Sequence, residues 1–191
     1  MRQRRGKSKT VAEESQPSLP LTPDQIRRRT FQRAVKLLAA KPRSIAELRE
    51  RLLEWRQTNE ATVETVIARL REYGYLDDER FAVGYASSKV RQRPIGRERL
   101  QRDLMFKKVS QQVAAEALDQ VFAETSEEEL LDRAIEKRVR LRGQPKTRAE
   151  MKSLFDHLLR QGFPFELVSE KVRAAAQPSF DEDQTGEGNS V

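Results

Sequence analysis

Apolar residues recur along the chain in short stripes spaced three and four apart, each opened by a capping residue and closed by proline or glycine. This is the 3.6-residue period of amphipathic helices. Thr22-Pro23-Asp24-Gln25 combines a cap, a proline at the first helical position and a glutamine three residues after the cap, so a helix runs from there to about Ala40. Pro42 blocks its continuation. Ser44 and Glu47 predict a capping box for a second helix, with Leu48, Leu52 and Trp55 on one face. Asn59 opens a third, striped by Val63, Val66, Ile67 and Leu70 and stopped at Gly74. Asp77 caps a fourth helix, with Asp78 and Glu79 where the helix dipole favours anions. Leu76 and Phe81 are spaced for a hydrophobic staple. Further helices open near Gly96, at Ser110, at the Ser126/Glu129 and Thr147/Glu150 boxes, and at Pro164.

Nine helices result, and they group in threes. Leu48/Leu52, Leu100/Leu104 and Leu154/Leu158 are equivalent pairs separated by 52 and then 54 residues, with Val63, Val113 and Leu167 as first core positions of the following helices. The expected fold is all-α, an elongated array of three tandem three-helix units at 22–75, 76–124 and 125–176. Units of this size are small, so neighbours should support one another. The ends, 1–21 and 177–191, lack apolar periodicity and read as a disordered basic tail and a disordered acidic tail.

Charge adds a partner class. The chain carries a net +7, and because its last 15 residues hold four acidic groups and no basic one, the positive charge lies in the helical body. Two stretches concentrate it. Arg91, Arg93, Arg97, Arg99, Arg102, Lys107 and Lys108 face only Glu98 and Asp103, and Lys137, Arg138, Arg140 and Arg142 begin a run without an acid. These are the candidate contacts to an anionic partner, either acidic protein or nucleic-acid phosphate. Trp55 continues an apolar face and reads as core, whereas Tyr73 or Tyr75 beside a helix end is expected in solvent.

Few residues of the chain are suited to catalysis or metal binding. With no cysteine, thiolate metal sites and disulfides are excluded, and the single histidine, His157, sits beside an apolar stripe without a catalytic partner. Asp77 and Asp78 read as cap and dipole partner rather than as an acid pair. No glycine-rich phosphate loop, cofactor motif, metal set, membrane span or secretory signal appears, so a non-enzymatic, cytoplasmic, monomeric protein without a cofactor is expected.

Gly74-Tyr75-Leu76-Asp77-Asp78-Glu79-Arg80-Phe81 resembles the signature of the RecX regulatory proteins. Arg43-Ser44-Ile45-Ala46-Glu47-Leu48, Gly96 followed by Leu100 and Leu104, and Gln161-Gly162-Phe163 resemble further motifs of that family in its order, across about 28–172. Lys107-Lys108-Val109 departs from a Lys-Gly-Ile pattern, and Gln161 replaces a commonly basic residue. The resemblance implies an array of three-helix units without catalytic residues. It also implies a modulator that binds the RecA recombinase and its DNA filament and mainly limits filament growth, in DNA repair, recombination and the SOS response. Direct contact with single- or double-stranded DNA through phosphates is compatible with it. The rival reading is a helix-turn-helix module acting in transcription, although no unit clusters base-reading residues at a helix start.

Overall fold

The computed structural model describes residues 21–176. The two tails expected at 1–21 and 177–191 therefore lie outside the described residues, apart from Leu21. The described chain forms nine α-helices: α1 Pro23–Ala40, α2 Ile45–Leu53, α3 Glu60–Glu72, α4 Asp78–Gln92, α5 Arg97–Phe106, α6 Gln111–Glu124, α7 Glu127–Arg142, α8 Arg148–Arg160 and α9 Phe165–Ala176. Described residues contain no strand, and the fold is an all-α helical repeat. No helix of the described residues is long and apolar enough to cross a membrane.

Local chemistry sets the boundaries. Thr22 and Thr147 form reciprocal capping boxes with Gln25 and Glu150, satisfying two otherwise unpaired donors at each helix start. Ser44 and Ser126 accept the expected backbone bonds from Glu47 and Glu129, but neither glutamate returns the bond. Glu129 stays in solvent, and Glu47 is diverted to Lys107, 2.8 Å away. At the end of α3, Gly74 adopts φ +67°, and the Tyr75 N–H reaches the Leu70 carbonyl at 2.9 Å, closing a Schellman motif. Helices α5 and α8 end in the same motif, with Lys108 at φ +60° and Gly162 at φ +86°.

The buried side chains form two cores. The first joins Ala34, Leu48, Leu52, Val63, Val66, Ile67 and Leu70 of α1–α3 with Leu76. The second is continuous through α4–α9 and includes Leu100, Leu104, Leu118, Leu130, Leu154, Leu158 and Phe163. Leu76 thus seals the first core, although the sequence placed it at the start of the second unit. Phe81 packs on the second core and stacks on Tyr85, with ring centroids 6.0 Å apart, so the two expected staple partners divide between cores. The repeat register also shifts by one in two third helices. Ala114/Leu118 and Val168/Val172, not Val113 and Leu167, are the buried counterparts of Val63/Ile67. Trp55 lies just beyond α2 and is half-buried rather than core.

Candidate anion-binding cleft and the joints that shape it

One arrangement of contacts occurs twice, and it determines which cations remain available. At the first joint, the Ser44 hydroxyl donates to the Lys107 carbonyl at 2.5 Å, and the Ile45 N–H donates to Asp78 Oδ1 at 2.8 Å. At the second, the Gly96 N–H donates to the Gln161 carbonyl at 3.0 Å, and the Arg97 N–H donates to Glu127 Oε1 at 2.7 Å. In both, the start of a middle helix (α2, then α5) meets the Schellman turn ending the next middle helix (α5, then α8). In both, the first residue of α4 or α7 supplies a carboxylate to the exposed backbone donor. Burial raises the carboxyl pKa of Asp78 and of Glu127, partly offset by those backbone bonds.

The second joint leaves no room for side chains. A Cβ on Gly96 would lie 2.2 Å from the Gly162 carbonyl oxygen, and one on Gly162 would lie 2.2 Å from the Arg99 backbone nitrogen. The first joint instead uses a serine and Lys108, and adds ion pairs. Lys107 and Glu47 are 2.8 Å apart with about a fifth of each side chain exposed, and Lys108 pairs with Glu50. The resemblance motifs Arg43–Leu48, Asp77–Asp78, Gly96 and Gln161–Phe163 are therefore largely joint residues. Among the signature residues, Gly74 and Tyr75 close α3, Leu76 seals the first core, Asp77 caps α4 by accepting from the Arg80 N–H at 3.0 Å, and Asp78 crosses to α2.

The predicted basic residues separate accordingly. Lys107 and Lys108 are tied to Glu47 and Glu50. Arg97 pairs with Asp119, and Arg102 stands 4.0 Å from Glu98. Arg91 and Arg140 are exposed and line no part of the main cleft. Arg93, Arg99, Lys137 and Arg138 converge on a cleft of 390 Å³ between the α4–α5 loop, α7 and α8. Arg160 and His157 join them, and Pro94, Ile95, Ala134 and Leu141 supply its apolar floor and wall. No carboxylate lines the cleft. Arg99 is paired with Asp103 at 3.1 Å, while Arg93, Lys137, Arg138 and Arg160 form no ion pair with a described residue. Arg142 lies beside Arg138 in an adjoining smaller cleft.

The cleft's uncompensated positive charge acts on its own ionisable groups. Burial, then Arg142 and Arg160, lower the pKa of Arg138. Burial, then Arg138, Arg160 and Arg142, lower that of His157, keeping the imidazole neutral at neutral pH. His157 Nε2 stands 2.8 Å from Gln161 Nε2, so with the amide donating, the ring proton sits on Nδ1. In the sequence alone His157 stands without a catalytic partner, and Arg160 lies outside both basic stretches. The available signal was their i,i+3 spacing on α8. No group of three or more His, Cys, Asp or Glu among the described residues could hold a metal ion.

The family model of the first three-helix domain of RecX matches residues 31–70, and that of the second matches 77–118. The chain belongs to the RecX family. The regulatory protein RecX of Treponema pallidum is 40% identical over 110 residues, covering 58% of this chain and 66% of that protein. RecX of Bacillus velezensis is 30% identical over 81% of this chain and 58% of its own length. RecX of Amycolatopsis mediterranei is 28% identical over 82% of this chain and 91% of its own length. The chain thus spans just under two thirds of the first of these relatives and a smaller share of the second. The crystal structure of RecX from Lactobacillus salivarius superposes with a TM-score of 0.70 at 16% identity, over 80% of this chain and 97% of that one. That likeness is one of fold. Each of these curated relatives bears the name regulatory protein RecX.

Proposed function

We propose that this protein binds RecA and its DNA filament and limits filament growth, with the cleft between the α4–α5 loop, α7 and α8 as an anion-contacting surface. The observation that carries the reading is the RecX kinship joined to that cleft. A chain that pairs many of its cations leaves Arg93, Lys137, Arg138 and Arg160 unpaired in one concavity, where a polyanion releases their mutual repulsion. An array built by repeating one joint presents an extended face, so it can contact neighbouring filament protomers together. Binding of that kind alters assembly rather than blocking a single small site.

Against the transcription-factor reading, the starts of α2 and α5 are occupied by the joints instead of facing outward. The test is RecA filament length, strand exchange and ATP hydrolysis with stoichiometric protein. Shortened filaments and reduced exchange are expected, and a double Arg138→Ala, Arg160→Ala variant should lose most of that effect while keeping its Tm. Unchanged RecA behaviour at stoichiometric excess of the wild-type protein would overturn the reading.

A further inference from the structure

A second groove, of 880 Å³, lies between α1, the Pro42 turn and α4, beside the first joint. Its lining differs from that of the basic cleft because it mixes cations with aromatic rings. Tyr75 stands at its edge with 66% of its surface exposed. Tyr85 lies within it, stacked on Phe81, and the Lys89 ammonium sits 5.3 Å from the Tyr85 ring centroid. Lys41, Arg43, Arg80 and Lys107 bring further positive charge, against Asp77 as the lining carboxylate. Lys107 is already held by Glu47, and Arg80 donates to the Gly74 carbonyl. Lys41 and Lys89 form no ion pair with a described residue. Arg43 also lines the groove, and its buried Nε has no hydrogen-bond partner.

We infer that this groove binds single-stranded nucleic acid, with Tyr75 as a base-stacking platform and Lys41, Arg43 and Lys89 as phosphate contacts. Cations interleaved with exposed aromatic faces suit unpaired bases, each of which presents a π-face for stacking and a phosphate for pairing. A duplex hides those faces in its own stack and leaves Tyr75 unused. An acidic peptide segment satisfies the cations but not the ring. The site needs no RecA, so it stands or falls separately from the reading above.

The test uses the full chain without RecA, and fluorescence anisotropy with a labelled oligothymidylate and a duplex of equal length. The single strand should bind at least tenfold more tightly. Tyr75→Ala should weaken it by about 5- to 150-fold, the range of one base–aromatic stack, while Tyr75→Phe retains it. Lys41→Ala and Lys89→Ala should each lower the slope of log affinity against log salt by about 0.7. These two variants also carry the test should Tyr75→Ala alter the Tm. Equal affinity for strand and duplex, or a well-folded Tyr75→Ala with wild-type affinity, would overturn the inference. So would displacement by polyglutamate as effective as by oligothymidylate, which would assign the groove to an acidic protein segment. Loss of binding in Arg138→Ala with no effect of Tyr75→Ala would assign it to the other cleft.

Discussion

Asp78 and Glu127 hold the same post in successive joints, and both carry a carboxyl pKa raised by burial. A raised carboxyl pKa means that the folded chain binds the proton more tightly than the unfolded one. The associated stability is fully present below the unfolded value and is lost as pH rises through the folded value. At neutral pH the charge is therefore a burden, and the acceptor oxygen is what the joint needs. Asp78→Asn keeps that acceptor for the Ile45 N–H and should match or exceed wild-type stability at pH 7, an advantage that shrinks on acidification. Asp78→Ala leaves the donor unpaired and should cost about 1–2 kcal/mol in urea denaturation. The glycine turns make a sharper contrast. Gly162→Ala combines a positive φ with a backbone collision and should cost more, about 3 kcal/mol or above. Lys108→Gly relieves a left-handed lysine and should change stability by less than about 1 kcal/mol in either direction, because entropy gained by the unfolded chain offsets the relief. The sole histidine supplies a further residue-scale measurement. An anion entering the cleft opposes the Arg138 and Arg160 charges that depress His157, so its pKa should rise on titration with inorganic phosphate or oligonucleotide, followed by imidazole proton NMR. An unmoved titration curve with ligand bound would place the anion elsewhere.

At the scale of elements, the helices and the joints differ in how they are encoded. Helix starts and stops are local, so Thr22, Asp77, Gly74 and Thr147 could be read in place, and the helices fall where those residues predict. The joints pair residues far apart in sequence. Ser44 meets Lys107 across 63 positions, and Ile45 meets Asp78 across 33. Nothing within a capping window reports such a partner, which is why Glu47 read as half of a capping box and Lys107 as a surface cation. The basic cleft was legible as two charged stretches but not as a place, because packing selects Arg93, Arg99, Lys137 and Arg138 and adds Arg160. The Glu47–Lys107 pair is testable as an element contact. Lys107→Met strands a mostly buried carboxylate and should cost about 2–3 kcal/mol, whereas adding Glu47→Gln should recover much of that loss, giving a coupling above about 1 kcal/mol in a double-mutant cycle. Additive single effects would mean that the pair does not hold α2 to the α5 turn.

For the molecule as a whole, the unequal cores predict unequal stability. The first core gathers eight buried apolar residues from α1–α3 and Leu76, whereas the second gathers nineteen across α4–α9. Buried apolar area is the main favourable contribution to each, so α1–α3 should open at a lower free energy than α4–α9. The second joint adds main-chain bonds at Gly96 and Gly162 with backbones nearly touching, which fuses the later helices into one cooperative body. The first joint is held by side chains, and side chains can be removed singly. Native-state hydrogen exchange should therefore show two tiers of protection, with amides of α2 and α3 exchanging through a smaller opening than those of α6 and α8. Lys107→Met should lower the first tier and leave the second in place, while Gly162→Ala should lower the second. A single tier, moved equally by both substitutions, would show that the repeat folds as one unit. Two tiers would mean that the first three helices can open while the rest stays folded, with the aromatic groove bordering the part that opens and the arginine cleft within the stable body.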